Sequence, residues 1–182
     1  MGTPKALLRD PAGEPWLARG TRTLTDAGWD PVVVVLGAAY DDAVALVPPG
    51  ADVVRAHDWE LGMGESLRAG LLHLEGTDAA AAVVTLVDLP DVGAAVVRRV
   101  LERWAAHSEP AAALVRAVYD GRPGHPVVLG RDHWPRLLET VAGDVGAQAY
   151  LTRVDVRRTV DLVECADLAT GHDVDRPPRS GA

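Results

Sequence analysis

Phenylalanine is absent, and aromatic residues make up only 4% of the chain. The interior must therefore be filled by Val, Leu and Ala, which suit helices packed on a parallel sheet. There is one cysteine, Cys165, which excludes an internal disulfide and a zinc site built on cysteines. It reads as a buried thiol in a reducing compartment. No apolar run reaches the length of a membrane span and no signal peptide is recognisable, so the expectation is a soluble, cytoplasmic protein. Basic charge is not in excess. The formal net charge is −8, which argues against non-specific nucleic-acid binding but leaves room for a small anion held by local donors. Lysine is nearly missing too: Lys5 stands alone, and every other basic side chain is an arginine.

What is present is enough for a core, with 182 residues of which 48% are hydrophobic. The expectation is one domain over residues 1–175 and a polar, Pro-rich, disordered tail over 176–182. Residues 13–28 read as a helix with Trp16, Leu17 and Leu24 on one face and Gly28 as its stop. PVVVVLG, residues 31–37, is a β-branched run typical of a strand buried on both faces. A short helix over 40–47 and a strand in ADVVRA, 51–56, follow. Residues 64–76 form a helix with Leu67, Leu71 and Leu74 inward. AAAVVTLVDLP, 80–90, is a third buried strand, and 92–107 an amphipathic helix. AAALVRAVYDG and HPVVLG are two strands joined by a Gly/Pro turn. Residues 131–143 contain a helix, DVGAQAYLTRV opens another with an acid at its start, and RTVDLVE is a last strand. Alternating strands and helices predict an α/β three-layer sandwich, Rossmann-like, with a mostly parallel sheet. Ligands of such sheets sit at the carboxyl ends of the strands.

Several residues fall at those ends. Asp88 closes a buried strand, where a carboxylate is either a Mg²⁺ ligand or a cap for loop amides before Pro90. Asp173 and Asp175 alternate on an extended segment and face one way; they complete a cation site or lie solvated near the tail. Gly62 and Gly64 allow a ligand close to the backbone just before a helix that Ser66 could cap, or form a plain loop. His125 sits in a Gly-His-Pro turn, and Gly143-Asp144 opens a helix whose amides could hold an anion. Lys5 follows Gly-x-Pro, which pins its backbone, and its compact charge suits a phosphate chain.

In this order the motifs resemble the MobA-like nucleotidyltransferases, most closely the molybdenum cofactor cytidylyltransferase subgroup. Met1, Gly2, Pro4, Lys5, Leu7 and Leu8 match the second half of that family's Leu-Ala-Ala-Gly…Arg-Met-Gly-x-Pro-Lys-x-Leu-Leu signature. HDWELGMGESLRAGL, LVDLP, YDGRPGHPVVLG, GDVGAQ and DVDRP resemble its later elements. Arg176 stands where family members commonly have Thr. The first strand and the Leu-Ala-Ala-Gly half of the phosphate loop have no counterpart here. The expectation is a sequence that begins at an internal methionine; the rival is a truncated, non-catalytic relative.

The resemblance implies Mg²⁺-dependent transfer of a nucleoside monophosphate from an NTP, with CTP favoured, to a phosphorylated acceptor such as molybdopterin, releasing pyrophosphate. Guanylyl transfer to molybdopterin, or another base or acceptor, is the alternative. Lys5 and Asp88 would be catalytic. Gly2, Lys5, Gly37, Gly64, Glu65 and Ser66 would bind the nucleotide. His125, Gly143 and Asp144 would face the acceptor, and Asp88, Asp173 and Asp175 would hold the metal. The product would pass to a recipient molybdoenzyme or its chaperone.

Overall fold

The computed structural model describes residues 3–141 and 143–174. Its helices are α1 (Trp16–Asp26), α2 (Tyr40–Ala43), α3 (Met63–Glu75), α4 (Ala94–Ala105), α5 (Trp134–Thr140) and α6 (Gln148–Leu151). Its strands are β1 (Val33–Leu36), β2 (Asp52–Arg55), β3 (Ala81–Val84), β4 (Leu114–Tyr119), β5 (Arg122–Gly130) and β6 (Val160–Glu164). None of the described helices is long and apolar enough to cross a membrane.

The layering follows from the two-residue period of the strands. Ala82, Leu114, Val127 and Leu129 face α3, α5 and α6, where Leu71, Trp134, Leu137 and Tyr150 meet them. Their neighbours Ala81, Val115 and Val128 face the other way, onto Val96 and Val100 of α4 and onto buried Cys165. A third cluster joins Leu17 and Leu24 of α1 to Val34 and Leu36 of β1. The face expected of α1 is buried as read, with Trp16 at 2% and Leu17 at 3% exposure. In α3, Leu71 is buried and Leu67 and Leu74 pack beside it.

The α/β layers hold, but the pairing is less parallel than expected. β1 and β2 form a parallel pair. The other four strands run in the order β3-β5-β4-β6, with β4 parallel to β6 and β5 antiparallel to both β3 and β4. The cause is the Asp120-Gly121 turn, where both residues have positive φ (51° and 74°). That is the geometry of a tight hairpin turn, and it sends β5 back along β4. β3 also ends sooner than its apolar run. After Val84 its partner β5 reaches the Pro126 end of its pairing segment, and residues 85–90 leave the ladder as a loop. The tail over 176–182 lies outside the described residues.

Between β1 and β3 lies a cleft of about 870 Å3. α1 and α3 contribute Leu17, Leu24, Leu67 and Leu71 to its walls. Toward the carboxyl ends of the strands it is lined by Met63, Ser66, Arg116, His125 and Gln148.

Candidate active site

Asp88 stands in the loop after β3, buried to 5% exposure. One carboxylate oxygen, Oδ2, takes an ion pair and hydrogen bond from Lys5 Nζ. The other, Oδ1, is buried with no hydrogen-bond partner among the described residues. A buried carboxylate oxygen left bare is costly unless something binds it. Lys5 opens a single 3-10 turn, Lys5–Leu7, set by Pro4 before it. The following residues, Ala6 and Leu7, pack on the α1–β1 cluster. Lys5 thus reaches from the β1 side of the cleft to the β3 side. Its side chain remains 39% exposed.

The segment carrying Asp173 lies on the same loop. The Val174 amide donates to the Asp88 carbonyl at 2.9 Å, and the Thr170 amide and hydroxyl both donate to Asp91 Oδ2 at 2.6 Å. These bonds to Thr170 hold the Asp91 carboxyl below its ordinary range, against the opposing pull of burial. Asp173, which precedes Val174, is exposed. Asp175 and Gly2 lie outside the described residues. Among the described residues no group of three or more His, Cys, Asp or Glu converges on one point. The bare Oδ1 of Asp88 nonetheless fits a hard divalent cation, which takes carboxylate oxygen and keeps much of its own water.

His125 and Arg116 form the opposite wall. Burial, then the neighbouring Arg116 charge, lowers the His125 pKa to about 4, with Asp88 pulling weakly the other way. The ring is therefore neutral near pH 7. Tyr119 donates its hydroxyl to the His125 carbonyl at 2.6 Å. Arg116 donates from Nε to the Gly124 carbonyl at 3.1 Å and from a terminal nitrogen to Gln148 Oε1 at 2.8 Å.

Glycines shape the β1 side. A Cβ on Gly37 would lie 2.4 Å from Trp59 Cβ, so Trp59 sits directly over the end of β1. Gly62 has φ 125°, and a Cβ there would come within 2.3 Å of the Gly143 carbonyl carbon. The loop before α3 and the Gly143-Asp144 turn are thereby pressed together. Two expectations change. Ser66 does not cap α3: the helix starts at Met63 with Gly62 in the cap position, which leaves Ser66 within the first turns and on the cleft wall. Gly64 is buried in the first turn, and Glu65 pairs with Arg68 at 3.5 Å. Gly143-Asp144 does not open a long helix either. It forms one 3-10 turn, Gly143–Val145, ahead of the four-residue α6, too short for an aligned dipole to act on an anion.

The structure thus joins Lys5 to Asp88, ties the segment after Asp173 to Asp88 through the Val174 amide, lines the cleft with His125 and Ser66, and presses the Gly62–Gly64 loop against the Gly143-Asp144 turn, with Gly37 under Trp59. Sequence reasoning missed Arg116, Gln148 and Asp91. Arg116 had a signal: a charge set inside the apolar run ALVRAVY is out of place for a buried strand.

A family model described as MobA-like NTP transferase domain matches residues 1–159. The chain belongs to this family. It is 36% identical over 181 residues to nicotine blue oxidoreductase of Paenarthrobacter nicotinovorans, covering 94% of this chain and 83% of that protein. It is 29% identical over 104 residues to a probable molybdenum cofactor guanylyltransferase of Rhodopirellula baltica, covering 57% of this chain and 49% of the relative. Among solved structures, Rv0371c of Mycobacterium tuberculosis H37Rv superposes with a TM-score of 0.77 at 27% identity, covering 97% of this chain and 86% of that one. A manganese complex of Rv0371c gives 0.73 at 26% identity, covering 90% and 82%. As a MobA-like NTP transferase, the chain is an enzyme of the nucleotidyltransferase class.

Proposed function

We propose that this chain transfers a nucleoside monophosphate from an NTP to a phosphorylated acceptor such as molybdopterin. The observation that carries the reading is Asp88: buried in the loop after β3, bound to Lys5 through one oxygen and bare at the other. A cation and an open carboxylate oxygen side by side suit a metal-bound polyphosphate. The Rv0371c manganese complex supports a divalent cation, Mg²⁺ in the cell. When bound, it would neutralise phosphate charge beside Asp88, with Asp173 and Asp175 as further candidates to hold it.

In the proposed reaction an ionised phosphate oxygen of the acceptor attacks the α-phosphorus of the NTP. The new P–O bond forms as the bond to the β-phosphate bridge breaks, and pyrophosphate leaves. The attacking oxygen is already ionised near neutral pH, so no general base is needed. Lys5 would draw charge from the triphosphate. Gly2, Gly37, Gly64, Glu65 and Ser66 would line the base and ribose, where the glycines admit a close approach. Neutral His125 would hydrogen-bond the acceptor, and the Gly143-Asp144 turn would border it. Catalysis would come from positioning two anions and screening their repulsion.

CTP is the donor favoured by the sequence motifs, while the Rhodopirellula relative carries the name of a guanylyltransferase. Pyrophosphate release with CTP, GTP, ATP and UTP, with Mg²⁺ and molybdopterin present, decides between them. No release with any of the four would end the transferase reading. A redox reading draws on the 36% identity to nicotine blue oxidoreductase. Dye reduction by NADH or NADPH in the absence of any NTP would favour it. We also place the protein in the cytoplasm, with product passed to a recipient molybdoenzyme or its chaperone.

A further inference from the structure

Arg116 is a charge among neutral partners. It stands on β4 inside the run ALVRAVY, half-buried, and lines the cleft. Exposed arginines of this chain find carboxylates: Arg103 pairs with Asp161 at 2.6 Å, and Arg136 with Asp155 at 2.6 Å. Acids are not scarce, with 26 Asp and Glu against 18 Lys and Arg. Arg116 nevertheless pairs with no carboxylate among the described residues. Its Nε donates to the Gly124 carbonyl at 3.1 Å and Nη1 to Gln148 Oε1 at 2.8 Å. Its other terminal nitrogen, Nη2, has no partner among the described residues. Burial pushes the guanidinium pKa down, yet an arginine keeps its charge near pH 7. A guanidinium drawn partly out of water and answered only by dipoles is costly, and a bound anion offsets that cost.

We propose that Arg116, with Gln148 and His125, is the receptor for the acceptor's phosphate group. Arg116 is placed by its register opposite Val127 of β5. Its bond to the Gly124 carbonyl ties it to the Gly-His-Pro turn that carries His125. The Arg116 charge is felt at the His125 ring, so the two stand close. What remains around Arg116 can donate. Gln148 turns its carbonyl oxygen to Arg116, which leaves its amide nitrogen for a ligand. Neutral His125 keeps one ring N–H. A planar fork engages two phosphate oxygens at once, which a point charge such as Lys5 does not. In the proposed reaction Lys5 and Asp88 serve the triphosphate, and Arg116 gives the second anion a counter-charge of its own. Its assignment to the acceptor rests on the transferase reading; the presence of an oxyanion site at Arg116 does not.

The test uses inorganic phosphate as the probe, with acetate and chloride at matched ionic strength. Phosphate should raise the thermal midpoint of the full chain in proportion to its occupancy, and acetate and chloride should not. Arg116→Met should raise the phosphate Kd on the order of tenfold or more, with little change in the urea midpoint. Arg116→Lys should recover only part of the affinity. Gln148→Glu sets a carboxylate against Arg116 and should abolish phosphate binding in a chain at least as stable, so it decides the matter where Arg116→Met does not fold. With molybdopterin and an NTP, Arg116→Met should raise the acceptor KM on the order of tenfold and leave the NTP KM alone. Phosphate affinity unmoved in Arg116→Met and Gln148→Glu, with a lowered urea midpoint in the first, makes Arg116 a tie between β4 and α6 and overturns the proposal. So does phosphate binding kept in Arg116→Met and lost in Lys5→Ala. A midpoint shift by acetate equal to that by phosphate also overturns it and assigns the site to a carboxylate. Arg116-dependent phosphate binding without pyrophosphate release from any NTP would sink the transferase reading and leave the oxyanion site standing.

Discussion

The two sheets divide the labour of the site. The four-stranded sheet is covered by helices on both faces, and its buried core residues Leu129, Val128 and Leu114 are at 0–1% exposure. From it come the groups that carry charge or hydrogen-bond directionally: Asp88, His125 and Arg116. The β1–β2 pair has only one ladder, and two strands alone are marginal in water. Its order comes from the packing of α1 and α3. From that side the site receives backbone, at Gly37 and in the Gly62–Gly64 loop. Groups that must be held to a fraction of an ångström stand on the well-supported sheet. In the proposed site, the backbone that would yield to a ligand stands on the lightly supported one. Lys5 spans the two, anchored beside β1 and paired with Asp88.

The sharpest way to break this division is Asp88→Asn. It should cut transfer on the order of a thousandfold, as loss of a key electrostatic group does, while the urea midpoint barely moves. Unchanged turnover would return Asp88 to a capping role. Matched core truncations come next. Leu129→Ala in β5 should cost about 4 kcal/mol and Leu36→Ala in β1 about 2 kcal/mol, within the range for buried leucines. Equal losses by urea denaturation would erase the contrast between the sheets. Lys5→Ala should then lower kcat/KM for the NTP roughly a hundredfold, with Lys5→Arg recovering only part of it, because a planar fork replaces a point charge. An unaffected kcat/KM would make Lys5 surface decoration.

The smallest effect concerns pH. His125 has a folded pKa of about 4 against an ordinary 6.5. Between those values the unfolded chain binds a proton that the folded one refuses. Stability is therefore full above pH 6.5, falls as pH drops toward 4, and levels off below. The loss should be about 2 kcal/mol after allowance for the ring's partial exposure. His125→Asn should flatten this part of the stability–pH curve; an unaltered slope in that variant would assign it to other groups.

Much of the four-stranded sheet was legible in the sequence, because β-branched runs report burial directly. The direction of pairing was not. Nothing in AAALVRAVYDG or HPVVLG separates a hairpin from a crossover except the Asp-Gly turn between them. Asp88 and Lys5 were singled out separately from their motifs; that they pair, across 83 positions, was not legible. The clamp of Thr170 on Asp91 is equally non-local. Ser66 misled because a serine near a helix start usually caps it, whereas here the backbone of Gly62, at φ 125°, sets the start.

The pairing of Lys5 with Asp88 has a practical corollary. The chain carries one side-chain amine, and that amine stands at the mouth of the candidate active site with 39% of its side chain in solvent. An acylating reagent that adds one group per molecule beyond the α-amino terminus therefore marks this position and no other side-chain amine. The rate of that single modification, with and without a nucleotide, is a direct occupancy gauge that needs neither an acceptor nor a turnover assay.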